Sequence, residues 1–119
     1  MNKVNLAQKF TLFDDYWHPR IVGELNESYV KIARLWGPFV WHQHEQEDEL
    51  FLVLKGRLLL RFRDSEVWLE PGEFCIVPRG VEHLPVAEEE VHVLLLEPKT
   101  TLNTGSIQNE RTVAELSWL

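Results

Sequence analysis

A single cysteine, Cys75, stands among the 119 residues, so no disulfide can form within the chain. A disulfide-stapled scaffold is thereby excluded, and a reducing compartment fits. Long apolar runs are also missing. Nothing approaches the roughly 20 consecutive apolar residues that a membrane-spanning helix needs. Residues Met1–Phe10 lack the continuous apolar core of a signal peptide. A cytoplasmic protein with no membrane partner is the expectation. Basic charge is scarce and scattered. Twelve Lys and Arg against 19 Asp and Glu leave a net charge of −7, which disfavours polyanions and acidic membrane surfaces as partners. The one local basic excess, Arg57, Arg61 and Arg63, is diluted by neighbouring acids. It reads as a solvated strand face rather than a phosphate clamp, so no nucleic acid is expected to bind. Repeats, low-complexity runs and internal boundaries are absent as well. At this length the chain reads as one domain over residues 1–119, with room for a real core but not for two.

What the chain has in abundance is short, apolar, punctuated segments. Asn5 is placed to cap a short helix over residues 5–10, with Gln8 as its capping-box partner. Phe13–Pro19 reads as an irregular aromatic arm. Strands are then expected at Ile21–Leu25 and Tyr29–Trp36, the second broken by Gly37-Pro38. They continue at Phe39–His44, Glu49–Lys55, Arg57–Arg63, Glu66–Glu70, Glu73–Val77, Val81–Val86 and Val91–Glu97. Ala87–Glu90 reads as an acidic turn. Thr112–Leu119 reads as a short helix presenting Val113, Leu116 and Trp118 on one side. Many short strands at even spacing with Gly and Pro turns argue an all-β sandwich or barrel, with its core at about residues 28–98. Leu50–Leu54 and Val91–Leu96 are nearly apolar on both faces. Their outer face should pack against something, either the N-terminal arm or a second subunit. A homodimer is the preferred expectation.

The chemistry concentrates between Gly37 and Gly56. Alternate residues of a strand share a face, so His42 and His44 should project together, with a carboxylate returning on the next strand. Glu49 is the expected carboxylate; Glu47 stands in if that strand starts early, and Asp48 belongs to the loop. A further histidine, His83, follows the turn-forming Pro78 and Gly80. Imidazoles and a carboxylate form a natural donor set for a divalent transition metal. Read singly, each of these histidines would more often be a core or surface residue. His92 and His18 are given that structural reading, and Cys75 that of a small buried residue. Trp36, Trp41, Trp68, Phe39 and Phe51 read as core or interface residues, one or two of them at a pocket mouth.

Taken together, the two stretches resemble the cupin superfamily. The first cupin motif is a Gly, then His-x-His, four residues, a Glu, six residues and a Gly. Gly37, His42, His44, Glu49 and Gly56 supply it, with the first gap one residue short. The second motif is Gly-x5-Pro-x-Gly-x2-His-x3-Asn. Gly72, Pro78, Gly80 and His83 fit, and Ala87 replaces the final Asn. The resemblance implies a small jelly-roll β-barrel with one metal ion bound by His42, His44, Glu49 and His83. That donor set suits Fe, Mn, Ni, Co, Cu or Zn without selecting among them. Binding should weaken below about pH 6, where free histidine takes up protons. Glu49 argues against the cupin thiol dioxygenases, which lack this glutamate.

Function stays open among three readings: a metal-binding barrel that holds a small molecule; a metalloenzyme, either an O₂-using dioxygenase or an isomerase of phosphorylated sugars; and a non-catalytic structural or regulatory module. The isomerase needs a base and a cationic phosphate site inside the barrel, and no clearly inward pair of Lys or Arg offers one. The catalytic residues are not identifiable from the sequence.

Overall fold

The strand that organises the barrel is β7, His83–Pro98, the longest in the chain. A computed structural model describes residues 1–119, with a helix α1 (Leu6–Phe10) and strands β1 (Arg20–Leu25), β2 (Ser28–Pro38), β3 (Glu49–Lys55), β4 (Leu58–Phe62), β5 (Glu66–Leu69) and β6 (Phe74–Val77) before it. The C-terminal half of β7 lies between β2 and β3, giving the order β1-β2-β7-β3-β6. Its N-terminal residues turn to a different neighbour: Leu59, Leu60, Arg61 and Phe62 of β4 pair with Val86 back to His83, and β5 follows β4. Every named strand pairing is antiparallel. β7 thus joins both parts of a single seven-stranded sheet, which closes into a jelly-roll barrel.

The strand alternation fills the interior. Ala33 and Leu35 of β2, Phe51 and Val53 of β3, Leu58 and Leu60 of β4, Val77 of β6 and Val91, Val93 and Leu95 of β7 form one buried cluster with Leu69 and Ala87. Fully burying a side chain of the larger kinds contributes roughly 1.5–3 kcal/mol. A smaller cluster of Phe10, Phe13, Val22 and Ile32 lies outside the sheet, with Leu6, Val30, Leu54 and Leu119 packed against it. The N-terminal arm therefore covers part of the outer apolar face. Phe74 and Ile76 on the edge strand β6 stay exposed.

Several local expectations change. Asn5 caps α1 as expected, its side chain accepting from the Gln8 N–H. Gly37-Pro38 does not break β2; the strand absorbs the disturbance as a register slip between Leu35 and Gly37. The same slip accommodates Glu88–Glu90, which are strand rather than turn, because β7 passes there from its pairing with β3 to its pairing with β4. Phe39–His44 is not a ladder strand. Only the His42–His83 bridge joins it to β7, with a further bond from the Phe39 N–H to the Pro85 carbonyl. Thr112–Leu119 forms no helix. Ile21 donates to the Ser117 carbonyl and accepts from the Leu119 N–H, so the tail lies alongside β1. An eight-residue segment is a poor isolated helix because nucleation is costly, and β1 offers its backbone an extended partner instead.

Candidate metal centre

Each of the four expected donors is delivered by a different local device. Glu49 begins β3 on its interior face, two residues ahead of Phe51. His83 begins β7, and its backbone exchanges two hydrogen bonds with His42. His44 is fastened from both sides. Its carbonyl accepts from the Gly80 N–H, and the neighbouring Gln43 carbonyl accepts from Ser106 in the C-terminal tail. Gly105 makes this approach possible, since a Cβ there would run into the Gln43 carbonyl. The tail thus braces the histidine segment that the sheet itself does not pair.

His42, His44, Glu49 and His83 are all buried, and one ligand atom from each lies within 4.8 Å of the others. Glu49 Oε1 stands 3.3 Å from both His44 Nε2 and His83 Nε2. Donors bonded at about 2.1 Å to a common ion lie roughly 3.0 Å apart at right angles and roughly 4.2 Å apart when opposed. The spacing therefore fits one ion. Tautomers fit as well. His42 Nδ1 donates to the Val40 carbonyl at 2.9 Å and His83 Nδ1 to the Val81 carbonyl at 2.9 Å. Both rings then present an unprotonated Nε2 to the cluster. His44 has no hydrogen-bond partner at either ring nitrogen although it is buried. Its 3.3 Å approach to Glu49 is an electrostatic contact without hydrogen-bond geometry. Orphaned buried nitrogens are costly in a folded protein, and a metal ion would satisfy one of them.

Charge states agree. Burial, reinforced by the neighbouring His83, lowers the His42 pKa to about 4, so this imidazole is neutral at physiological pH. Burial alone would raise the Glu49 carboxyl. The neighbouring Glu97, His44 and His83 side chains outweigh that and hold it well below the usual range. The four residues can therefore hold a divalent ion without first losing a proton from His42 or Glu49.

A cavity of about 40 Å³ opens beside them, room for roughly three waters at 10–15 Å³ each. Ala33, Leu35, Phe39, Phe51, Val93 and Leu95 give it apolar walls, and His42, Glu49, Glu97 and Asn103 are its polar lining. Of the aromatics weighed from sequence, Phe39 and Phe51 line it, while Trp36 and Trp68 are exposed on the outside. Glu47 instead accepts from Thr100, and Asp48 from the Arg79 N–H. Arg57, Arg61 and Arg63 pair with Glu70, Glu66 and Glu82 in solvent. His18 pairs with Asp15. Cys75 is half-buried against the core, and burial pushes its thiol pKa up.

Two features escaped the sequence. Trp17, from the arm, forms part of the cavity wall in a left-handed conformation with φ 59°. That is strained for a bulky residue. It is held by its N–H to the Arg34 carbonyl, its indole N–H to the Trp36 carbonyl, and stacking on Phe39. Lys31 and Glu97 form a fully enclosed ion pair at 2.8 Å. Both sit at the interior phase of apolar strands, Lys31 with Ala33 and Leu35, Glu97 with Val93 and Leu95. That phase was the available signal.

An antiparallel jelly roll with a buried three-histidine, one-carboxylate cluster defines the class. The cupin domain family matches residues 34–97, and the chain belongs to that family. A curated relative, the uncharacterized protein YdbB of Bacillus subtilis (strain 168), is 38% identical over 63 residues, 52% of this chain and 56% of the relative. The match thus spans little more than half of that protein's length. A cupin-2 domain containing protein from Shewanella frigidimarina NCIMB 400 superposes with a TM-score of 0.80 at 42% identity, covering 81% of this chain and 94% of that one. Protein NMB1881 from Neisseria meningitidis gives 0.76 at 26% identity, covering 82% and 100%.

Proposed function

We propose that this cupin holds one divalent transition-metal ion on His42, His44, Glu49 and His83 and binds a small molecule beside it in the cavity. The observation that carries the reading is the buried convergence of four donors, one of them a histidine with no partner in the protein. Bound there, the ion would supply Lewis acidity toward an oxygen-bearing ligand. The chain's own residues do the rest. Val40 and Val81 fix the tautomers of His42 and His83, the apolar walls exclude water, and the polar lining orients the ligand. Elemental analysis of the purified protein tests the assignment: close to one metal per chain is expected. Full occupancy in a His42→Ala/His83→Ala variant that stays folded would sink it.

A second reading makes the centre catalytic, and Glu97 favours it as a further titratable group lining the same cavity. Dioxygenase chemistry is preferred over sugar-phosphate isomerisation, because no Lys or Arg lines the cavity and the Lys31 ammonium is committed to Glu97. Oxygen consumption by the Fe(II)-loaded protein with catechol-like or enediol substrates decides between an oxidative enzyme and a binding barrel. We place the protein in the cytoplasm as one domain and as a homodimer. Phe74 and Ile76, left exposed on the β6 edge, support the dimer, which sedimentation equilibrium tests.

A further inference from the structure

The candidate donors are divided between two hollows. His42 and Glu49 line the apolar cavity, whereas His44 lines a separate groove of about 200 Å³. The groove runs between the acidic loop that carries Glu45, Gln46 and Glu47 and the tail segment from Thr100 to Ser106. Two hydrogen bonds hold its walls together. The Thr100 hydroxyl donates to the Glu47 carboxylate at 2.8 Å, and the Ser106 N–H donates to the Gln43 carbonyl at 3.1 Å. Leu102 is the one apolar residue in its lining, and no Lys or Arg lines it. Of the lining residues only His44 is buried, at 3% exposure. The groove therefore leads from solvent to a donor of the centre, and that donor has no hydrogen-bond partner at either ring nitrogen.

The two hollows differ in what they can admit. The apolar cavity, at about 40 Å³, has room for roughly three waters, whereas an octahedral aqua ion carries about six. Its aliphatic and aromatic walls offer a dication nothing in place of the water it would lose, and uncompensated burial of charge is costly. The groove is several-fold larger, polar and anionic. Clefts lined by one sign of charge concentrate the opposite ion and raise association rates by about 10–10³.

We propose that this groove is the route by which the metal ion reaches the centre: Glu45 and Glu47 attract the hydrated dication, and His44 is the first of the four donors to receive it. The inference rests on reading those four residues as a metal centre. It leaves the apolar cavity to the small molecule, so ion and ligand use different openings.

The test uses Co(II) as the probe. Association and dissociation rates come from stopped-flow quenching of tryptophan fluorescence, affinity from chelator competition, and folding from circular dichroism. Glu45→Gln/Glu47→Gln removes both charges, and the new amide oxygen at position 47 can still accept from Thr100. Association is expected to slow roughly tenfold at about 0.01 M salt, and the difference from wild type should fade at about 1 M, where the screening length is about 3 Å. Glu88→Gln/Glu89→Gln removes the same charge from exposed positions on β7 outside the groove and should stay close to wild type. Ser106→Trp keeps the backbone bond to Gln43 and fills the groove with an indole. An obstructed route changes only the barrier, so association and dissociation should slow by the same factor with Kd unchanged. If that variant is unfolded, the Glu45/Glu47 pair decides alone. Association in that pair as fast as wild type at low salt, or slowed no more than in the Glu88/Glu89 control, would overturn the proposal and leave the metal centre standing. Wild-type rates in folded Ser106→Trp would do the same. Failure of the wild-type protein itself to bind Co(II) would overturn the metal centre and this inference together.

Discussion

His83 and His92 lie on the same strand, β7, and each has a glutamate and further polar groups around it, but they are treated in opposite ways. His92 is outside the barrel. Its ring stacks on Phe10, and its Nε2 lies 2.8 Å from Glu90 Oε2. Glu90 also accepts from Tyr16 and Arg34, and the Arg34 guanidinium continues to the carbonyls of Phe10 and Phe13. Hydrogen bonds from Tyr16, then His92, hold the Glu90 carboxyl below its ordinary range. The cluster closes on itself and pins the N-terminal arm to the sheet. His83 is inside. It fixes its own Nδ1 on a backbone carbonyl and turns Nε2 toward Glu49, His42 and His44, where His44 finds no partner at all. A polar cluster completed by the chain is a fastening. One whose buried donors converge without completion is shaped for something from outside the chain.

The sharpest way to break this contrast is to remove each histidine in turn. His83→Ala is expected to abolish stoichiometric metal binding, whereas His92→Ala leaves it intact, as read by elemental analysis after dialysis. Equal loss in both would erase the distinction.

Next in size is a pH effect confined to the inner cluster. The His42 pKa is about 4 in the folded protein against 6.5 for the free side chain. The unfolded chain therefore binds this proton first as pH falls. The stability involved is fully present above pH 6.5 and is lost between 6.5 and about 4, by about 3 kcal/mol. Urea unfolding of the metal-free protein at pH 7 and pH 4.5 measures it. The difference from a His42→Gln variant isolates this residue from Glu97, whose carboxyl is pushed well above its usual range by burial and by Glu49 and so acts in the opposite direction. Parallel pH profiles for wild type and variant would remove His42 as the cause.

Metal at a hundredfold excess over its Kd should stabilise the wild-type fold by about 2.7 kcal/mol. A chelator should reverse the rise in Tm, and His83→Ala should show no rise. The smallest effect lies in the outer fastening. Arg34→Met loses its bonds to Glu90, Phe10 and Phe13 and should cost about 2 kcal/mol in urea unfolding. Its Co(II) affinity should match wild type, because the Arg34 side chain bonds to none of the four candidate donors.

Much of the centre was legible because its donors follow a spacing. His42, His44 and Glu49 lie within eight residues, and His83 is announced by Pro78 and Gly80. β3 was legible to its ends because the apolar run Leu50–Leu54 is bounded by the acidic loop before it and by Lys55-Gly56 after it. The misses share one cause, which is dependence on a partner remote in sequence. Lys31 looks like an ordinary exposed lysine until Glu97, 66 residues away, is placed beside it. Phe39–His44 has strand composition, yet its backbone is satisfied by β7 and by Ser106 rather than by a ladder.

The sequence by itself determined the strand alternation, most of the turn positions and the four residues that make up the candidate site, because these depend on side chains close along the chain and on the period of two. Only the tertiary structure decided that β7 runs unbroken through Glu88–Glu90, that the tail lies along β1, and that Lys31 is buried against Glu97. Those outcomes depend on which strands become neighbours, and that is set by closure of the barrel around its core.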